Sequence, residues 1–330
     1  MKAFPLEIVS AGSIFPDMPQ ALALVVTYGH HNGLVQALGD LYPQSQSRIY
    51  LVEDPGQSQL PLIMDAAEKK HLPLLVLYGA ETPEIAAVLP PSNARIGLIS
   101  QGTFQREAFT TDLLSCKGLS YCAWLGYQAY HTNPSVLQMV HEGAHETLRL
   151  GQFRQHPTWA EPLLREVSHH FIDLAAVRAA DAPDLPQPAP NGLYAEEFCT
   201  LGRYVGMSSS FTSAFLYGYN PSLPAQALST QLVAQLVWHI TEGLAVAVRE
   251  DPATDSAQFE RKAVQLGEEG QELIFLHSRK SGRWWMEVPI VKGPNECHFI
   301  SCSVDDYALA CKGEVPIKWL FYYQKYNNFS

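Results

Sequence analysis

Residues 141–145 read HEGAH. Two histidines four apart on a helix share a face and can chelate zinc, and the glutamate beside the first can activate a zinc-bound water. Taken alone, the pattern makes His141 and His145 zinc ligands of a hydrolase. Its neighbours argue for a helix surface instead. A helix buried in an active-site cleft needs apolar residues after the second histidine, and here Glu146 and Thr147 follow it. Gly143 also weakens the helix by about 1 kcal/mol relative to alanine. Glu161 and Glu166 lie downstream as conceivable third ligands, on a stretch that reads equally well as a solvated face.

Other reactive side chains are less well placed. His30 and His31 are adjacent, as are His169 and His170, and neighbours on extended chain point to opposite sides. Cys122 and Cys199 sit among apolar residues, which points to buried thiols and not to nucleophiles. Arg279, Lys280 and Arg283 beside Trp284 and Trp285 have the composition of a stacking surface for nucleic acid, but also of a hairpin with one basic turn.

The elements that must position these groups come as short apolar bursts separated by turn residues. Residues 21–29 (ALALVVTYG), 47–56, 72–81, 94–102 and 119–128 read as buried strands. Residues 34–42, 60–71 and 82–89 read as helices between them. Continuous apolar strands alternating with amphipathic helices predict a parallel sheet covered on both faces. Ligands in such folds sit beyond the C-terminal strand ends. Those ends are GHHN (29–32), YGAE (78–81), SQGTF (100–104) and GYQ (126–128). A helix is expected over residues 134–151, and a strand over 169–177 running into a Pro-rich loop at 181–192. Further helices are expected over 195–207 and 228–250, flanking a strand and turn at 213–221. Beyond residue 250 the segments ELIFLHS, WWMEVPIV, CHFISCS and IKWLFYY read as β structure, with a hairpin at residues 279–282.

Composition narrows the partners. The chain has 330 residues, 17% charged and 47% hydrophobic, against about 25% charged in a usual globular protein. A net charge of −11 disfavours nucleic acid and anionic membranes. No apolar run reaches the ~20 residues of a membrane span. The start, MKAFPLEIVSAGSIFP, lacks the pattern of a signal peptide, and the six cysteines form no C-x-x-C pair. A cytoplasmic protein is expected.

One set of stretches is more specific. FIDLAAVRAADAP (171–183) is followed by Pro190, Asn191, Gly192 and Leu193, then EEFCTLGRYVGMS (196–208), then Tyr219, Asn220 and Pro221. This order resembles the second half of the ureohydrolase superfamily of arginase, agmatinase and formimidoylglutamase. The nearest likeness is to a bacterial formimidoylglutamase-like branch, with its S-F-D strand, D-A-P loop, P-N-G turn, E-E helix and E-Y-N-P turn. LPLLVLYGAE (72–81) is similar to the strand before the family's Gly-Gly-x-His turn, and IGLISQGTF (96–104) to the strand carrying its D-A-H-x-D motif. LGYQ (125–128), RLGQ (149–152) and EPLLRE (161–166) fit the intervening elements. SGRWWMEVP (281–289) and CSVDDYALACKGEVPIKW (302–319) resemble that branch's C-terminal extension. The likeness runs over residues 47–325.

The resemblance implies an α/β protein with a three-layer arginase-like fold, a central parallel sheet and a β-rich C-terminal elaboration. The chain is expected to divide into an N-terminal segment packed on the sheet over residues 1–46, a ureohydrolase-like α/β core over 47–250 and a β-rich extension of the same domain over 251–330. In active members two manganese ions, held by carboxylates and histidines at the strand ends, activate a bridging hydroxide. The hydroxide attacks the carbon of a guanidinium or formimino group. Matched position by position, the ligands are replaced here. Glu81 stands where the first histidine would be, and Ser100, Gly102 and Phe104 take the places of the D-A-H-x-D ligands. Asp173 persists, Ala175 takes the second carboxylate position, and Gly218 takes that of the glutamate before Tyr219. Residues 93–106 contain no Asp, Glu or His, so no small shift of register restores the motif.

The expected function is therefore that of a non-catalytic scaffold or binding subunit, with a protein partner or self-association and no cofactor. The old pocket would be outlined by Glu81, Ser100, Gly102, Phe104, Asp173, Ala175, Asn191, Gly218 and Asn220. The alternative is an active hydrolase of formimino or guanidino C–N bonds, with manganese rearranged around Asp173 and Glu81. The third reading is the zinc site at His141 and His145.

Overall fold

The computed structural model describes residues 4–9, 21–29, 31–43, 48–90, 92–104, 106–266, 272–290 and 297–327. Among them, one sheet takes β1 (Leu6–Val9), β2 (Ala21–Thr27), β3 (Arg48–Glu53), β4 (Leu74–Gly79), β5 (Ala94–Ile99), β6 (Leu119–Leu125), β7 (Glu146–Leu148), β8 (His169–Asp173) and β9 (Ser213–Tyr217). Their spatial order is β1-β3-β2-β4-β9-β8-β5-β6-β7, and neighbouring strands pair in parallel.

The alternation along β2 shows why these strands read as unbroken apolar runs. Ala23 and Val25 pack on one face of the sheet with the core around Leu51, Leu77 and Leu216. Leu24 and Val26 pack on the other with Val52, Val76 and Phe215. Both faces are covered, so both parities must be apolar. Phe171 and Phe215, fully buried, stack with ring centroids 5.1 Å apart. Burial of each ring is worth about 1.5–3 kcal/mol.

The covering helices are α1 (Asn32–Gly39), α2 (Leu60–Lys69), α3 (Ile85–Val88), α4 (Glu107–Leu114), α5 (Pro134–Glu142), α6 (Leu150–Gln155), α7 (Ala160–Leu164), α8 (Ala195–Gly206) and α9 (Leu228–Ala245). Leu34 of α1, Leu201 of α8 and Leu236 of α9 belong to the first core, whereas Ile63 of α2, Leu113 of α4 and Val136 of α5 belong to the second. No helix is long and apolar enough to cross a membrane, among the described residues.

A second sheet, antiparallel, follows: β10 (Phe259–Gln265), β11 (Glu272–Ser278), β12 (Trp284–Pro289) and β13 (Cys297–Cys302). One face packs under α10 (Val304–Cys311) and α11 (Ile317–Asn327) through Phe275, Met286, Trp319 and Tyr322. Here the sequence reading needs correction. IKWLFYY is helix, not strand: Pro316 precedes it, and Trp319 and Tyr322, three apart, are its buried side. The expected helix over 134–151 ends at Glu142. Gly143 and Ala144, the latter at φ +50°, turn the chain into β7, and α6 starts afresh. The helix expected over 82–89 is a single turn, and that over 228–250 stops at Ala245.

The chain passes from β4 over β9 and β8 to reach β5. The C-terminal ends of these four strands therefore lie together where the strand order reverses, the place ligands take in open α/β sheets.

Candidate functional site

Asp173 closes β8 with its side chain 2% exposed. Oδ1 accepts the Ala175 N–H at 2.9 Å, within a tight turn over Leu174–Ala176. Oδ2 lies 3.5 Å from Nε of Arg106, at the outer limit of hydrogen bonding, so the contact is an ion pair in which the buried Nε finds no closer acceptor. The same guanidinium reaches the Ala80 carbonyl at 3.5 Å through Nη2 and lies 5.7 Å from the Tyr217 ring centroid. One cation thus touches the ends of β4, β8 and β9. Burial pushes the Asp173 carboxyl above its ordinary range, and Arg106 and the Ala175 N–H pull it partly back.

Gly218 follows Tyr217 at φ +83°. A Cβ there would fall 2.2 Å from Asp173 Oδ1. The carboxylate fills the space a side chain would take.

The loop after β5 offers no metal donors. Ser100 Oγ accepts the Trp124 indole N–H at 2.9 Å. Gly102 has φ +147°, and a Cβ would sit 2.5 Å from the His131 carbonyl oxygen. That oxygen accepts the amides of Thr103 and Phe104 at 2.9 and 3.0 Å, and Thr103 Oγ1 accepts the Asn133 N–H at 2.8 Å. The β5 loop is thereby clamped to the segment after β6. Phe104 is 56% exposed and Tyr130 67%, and both rings lie against His131.

The remaining pocket positions are dispersed. Glu81 is exposed in the turn after β4. Asn191 is exposed and offers its carbonyl to Gln128 Nε2 at 3.5 Å. Asn220 is exposed and caps its own turn, Oδ1 accepting the Ser222 N–H at 3.0 Å. Asp173, Ala175 and Gly218 are brought together, with Arg106 added, and Glu81 does not join them.

A pair of manganese ions needs several oxygen and imidazole donors. Here Ser100 is committed to Trp124, Gly102, Ala175 and Gly218 carry no donor, and Asp173 faces a guanidinium. Among the described residues, no three His, Cys, Asp or Glu side chains stand together so as to hold a metal ion. The residues present do not fit the ions.

The HEGAH segment does not present two histidines on one helix face either. His141 is the last turn of α5 and is exposed, whereas His145 lies beyond the helix, buried. Its Nδ1 accepts the Cys122 N–H at 3.2 Å, and burial beside Lys325 depresses its pKa to about 4. The two rings do not share a helix face, because the helix has ended. Glu142 takes Gln138 Nε2 at 2.7 Å.

Other reactive groups are structural. His31 Nε2 lies 2.8 Å from the Tyr219 hydroxyl, and His30 is outside the described residues. His169 Nδ1 meets Ser213 Oγ at 2.8 Å, while His170 stacks on Phe211. Burial pushes the Cys122 thiol up to about 12 and Cys199 to about 11, the opposite of activation. Arg283 is 8% exposed and Trp285 2%, so these two residues of the basic hairpin face inward.

The residue that sequence reasoning missed is Arg106. The signal was present: a basic side chain two positions beyond the altered motif, at the start of α4.

Comparison with solved structures defines the fold. The chain is similar to formiminoglutamase of Trypanosoma cruzi, solved with manganese, at 16% identity and a TM-score of 0.57, over 73% of this chain and 99% of that one. It is similar to formimidoylglutamase of Bacillus subtilis at 13% identity and TM-score 0.59, over 73% and 91%. Agmatine ureohydrolase of Thermoplasma volcanium matches at 12% identity and TM-score 0.54, over 74% and 94%. The chain therefore has the arginase-like ureohydrolase fold, to which a separate four-stranded antiparallel sheet is added. No model of a known protein family matches the sequence, and no curated protein does.

Proposed function

We propose that this chain is a non-catalytic ureohydrolase-fold protein that acts as a scaffold or binding subunit, its strand-end charge neutralised by a side chain and not by metal. The observation that carries the reading is the guanidinium of Arg106 against Asp173, with Gly218 leaving room for the carboxylate. Hydrolysis of a C–N bond in this fold needs a hydroxide made available near neutral pH, which a pair of metal ions supplies. Asp173, paired with a fixed cation, lacks the free lone pairs and the partner ligands for that role. Glu81, exposed in its turn, does not supply them. A protein partner or a second copy of the chain is the occupant this reading calls for.

The test is elemental analysis of protein purified with added manganese and zinc, together with assays for urea release from arginine and agmatine and formamide release from formiminoglutamate. No stoichiometric metal and no product are expected. About two manganese per chain with turnover would overturn the reading in favour of an active hydrolase. Stoichiometric zinc lost on His141→Ala would overturn it in favour of the HEGAH site.

A further inference from the structure

The N-terminal ends of β5, β6 and β7, at the opposite end of the sheet from Asp173, meet the C-terminal unit around a cavity of about 160 Å3. The space holds several waters or one small organic molecule. Its lining is unusually rich in charge for a seam between packed elements. The core contributes Arg95, Glu146 and Glu166, and α11 contributes Lys318 and Lys325.

Four of these five charges neutralise one another. Glu146 takes the hydroxyls of Tyr121 and Tyr322 on one oxygen, at 2.9 and 2.7 Å, and Lys318 Nζ on the other at 3.1 Å. Glu166 takes Arg95 Nη2 at 2.9 Å and the Ser301 hydroxyl at 3.0 Å. Lys325 is different. Its ammonium donates to the Ala144 carbonyl at 3.0 Å and stands 5.7 Å from the Tyr322 ring. Among the described residues of the lining, three cations against two carboxylates leave one surplus positive charge, on a half-buried side chain. Leaving a charge unbalanced in a partly dry cavity is costly, and an anion entering it would remove that cost. Lys318 and Lys325 are seven apart on α11, two turns, so both ammonium groups rise from one helix face. The Tyr326 ring closes the same wall.

We propose that this seam cavity binds a small organic anion bearing one carboxylate and a net single negative charge. Lys325 is its chief counter-ion, Lys318 the second, and the Tyr326 and Ser301 hydroxyls are partners for its remaining polar groups. Because the wall is shared, an occupant ties the C-terminal unit to the α/β core. The proposal does not depend on how the Asp173 end of the sheet is read.

Isothermal titration calorimetry and thermal unfolding of the full chain test it, with glycolate, L-lactate and inorganic phosphate as probes. At least one carboxylate is expected to bind once per chain, saturably, and to raise Tm. Lys325→Met is expected to weaken that binding about tenfold or more, as loss of a charged hydrogen bond does. Arg106→Met, at the other end of the strands, should leave it unchanged. Tyr326→Phe, which removes only a hydroxyl, is the second variant should Lys325→Met not fold, and it too should weaken binding. The proposal is overturned if neither carboxylate binds the wild-type chain, if phosphate alone binds, or if neither variant weakens the carboxylate.

Discussion

A Cβ on Gly218 would lie 2.2 Å from Oδ1 of Asp173. The two positions exclude each other: either Gly218 carries a side chain or the Asp173 carboxylate rests where it does. Gly218→Ala is therefore expected to destabilise the chain through both the clash and the φ of +83°. The left-handed backbone alone costs about 1–2 kcal/mol, and displacement of a buried carboxylate adds to it. Urea unfolding should place the sum at roughly 2–4 kcal/mol. A change below about 0.5 kcal/mol would show the contact to be soft.

Removing the cation tests the same pair from the other side. Arg106→Met leaves Asp173 buried without a counter-charge. The expected loss at pH 8 lies below the ~3–5 kcal/mol of a fully buried pair, because Arg106 keeps about a fifth of its side chain in water. The sign with pH follows from the raised folded-state pKa of Asp173. Its contribution is most favourable below the ordinary carboxylate range and declines as pH rises through the raised value. Without Arg106 that value climbs further, so the deficit of the variant should widen from pH 4 to pH 8. A constant deficit across that range would place the carboxylate outside the field of Arg106.

Acid should destabilise the chain earlier than carboxylate titration alone would. His145 and His169 have pKa values depressed to about 4 by burial, and His170 to about 3. A depressed histidine contributes stability that is present above about 6.5 and is lost as pH falls toward the folded value. Stability should thus drop between pH 6.5 and pH 4, by on the order of several kcal/mol in total. His145→Ala should cost about 1–3 kcal/mol at pH 7, as the Cys122 N–H is orphaned, and should flatten this slope. An unchanged slope would mean His145 is not the neutral acceptor described.

Glu161 joins the two units of the chain. It takes the Arg165 guanidinium at 3.0 and 2.5 Å and Arg283 Nε at 2.9 Å, while Arg165 also donates to the Trp284 carbonyl and covers the Trp285 ring. Glu161→Gln leaves two buried guanidinium groups short of a counter-charge, a loss of about 3–5 kcal/mol. Limited proteolysis should then release the segment after residue 250 faster than in the wild-type chain. Equal protection would assign the docking to apolar packing alone.

The sheet was legible because burial on both faces leaves a clear mark: ALALVVT or LLVLYG has few other ways to be satisfied. The reach of α5 was not, since HEGAH continues the helical period while the positive φ at Ala144 ends the helix. IKWLFYY was ambiguous for a physical reason. A short aromatic run fits a strand as well as a helix until the layer it packs against is known. At the site, the residue standing at each replaced ligand position was readable one by one. The cation standing beside Asp173 was not, because Arg106 lies seven residues beyond β5 and reaches Asp173, on the adjacent strand, only through the fold.

Arg106 also changes what the environment can do to this protein. A metal centre is on loan: chelators strip it, scarcity empties it and a competing ion can replace it. A guanidinium joined to the backbone cannot be stripped or exchanged. It arrives with translation and is always present at the effective concentration of an intramolecular partner. On the reading proposed above, the charge at the end of β8 is thus insulated from the supply of metal.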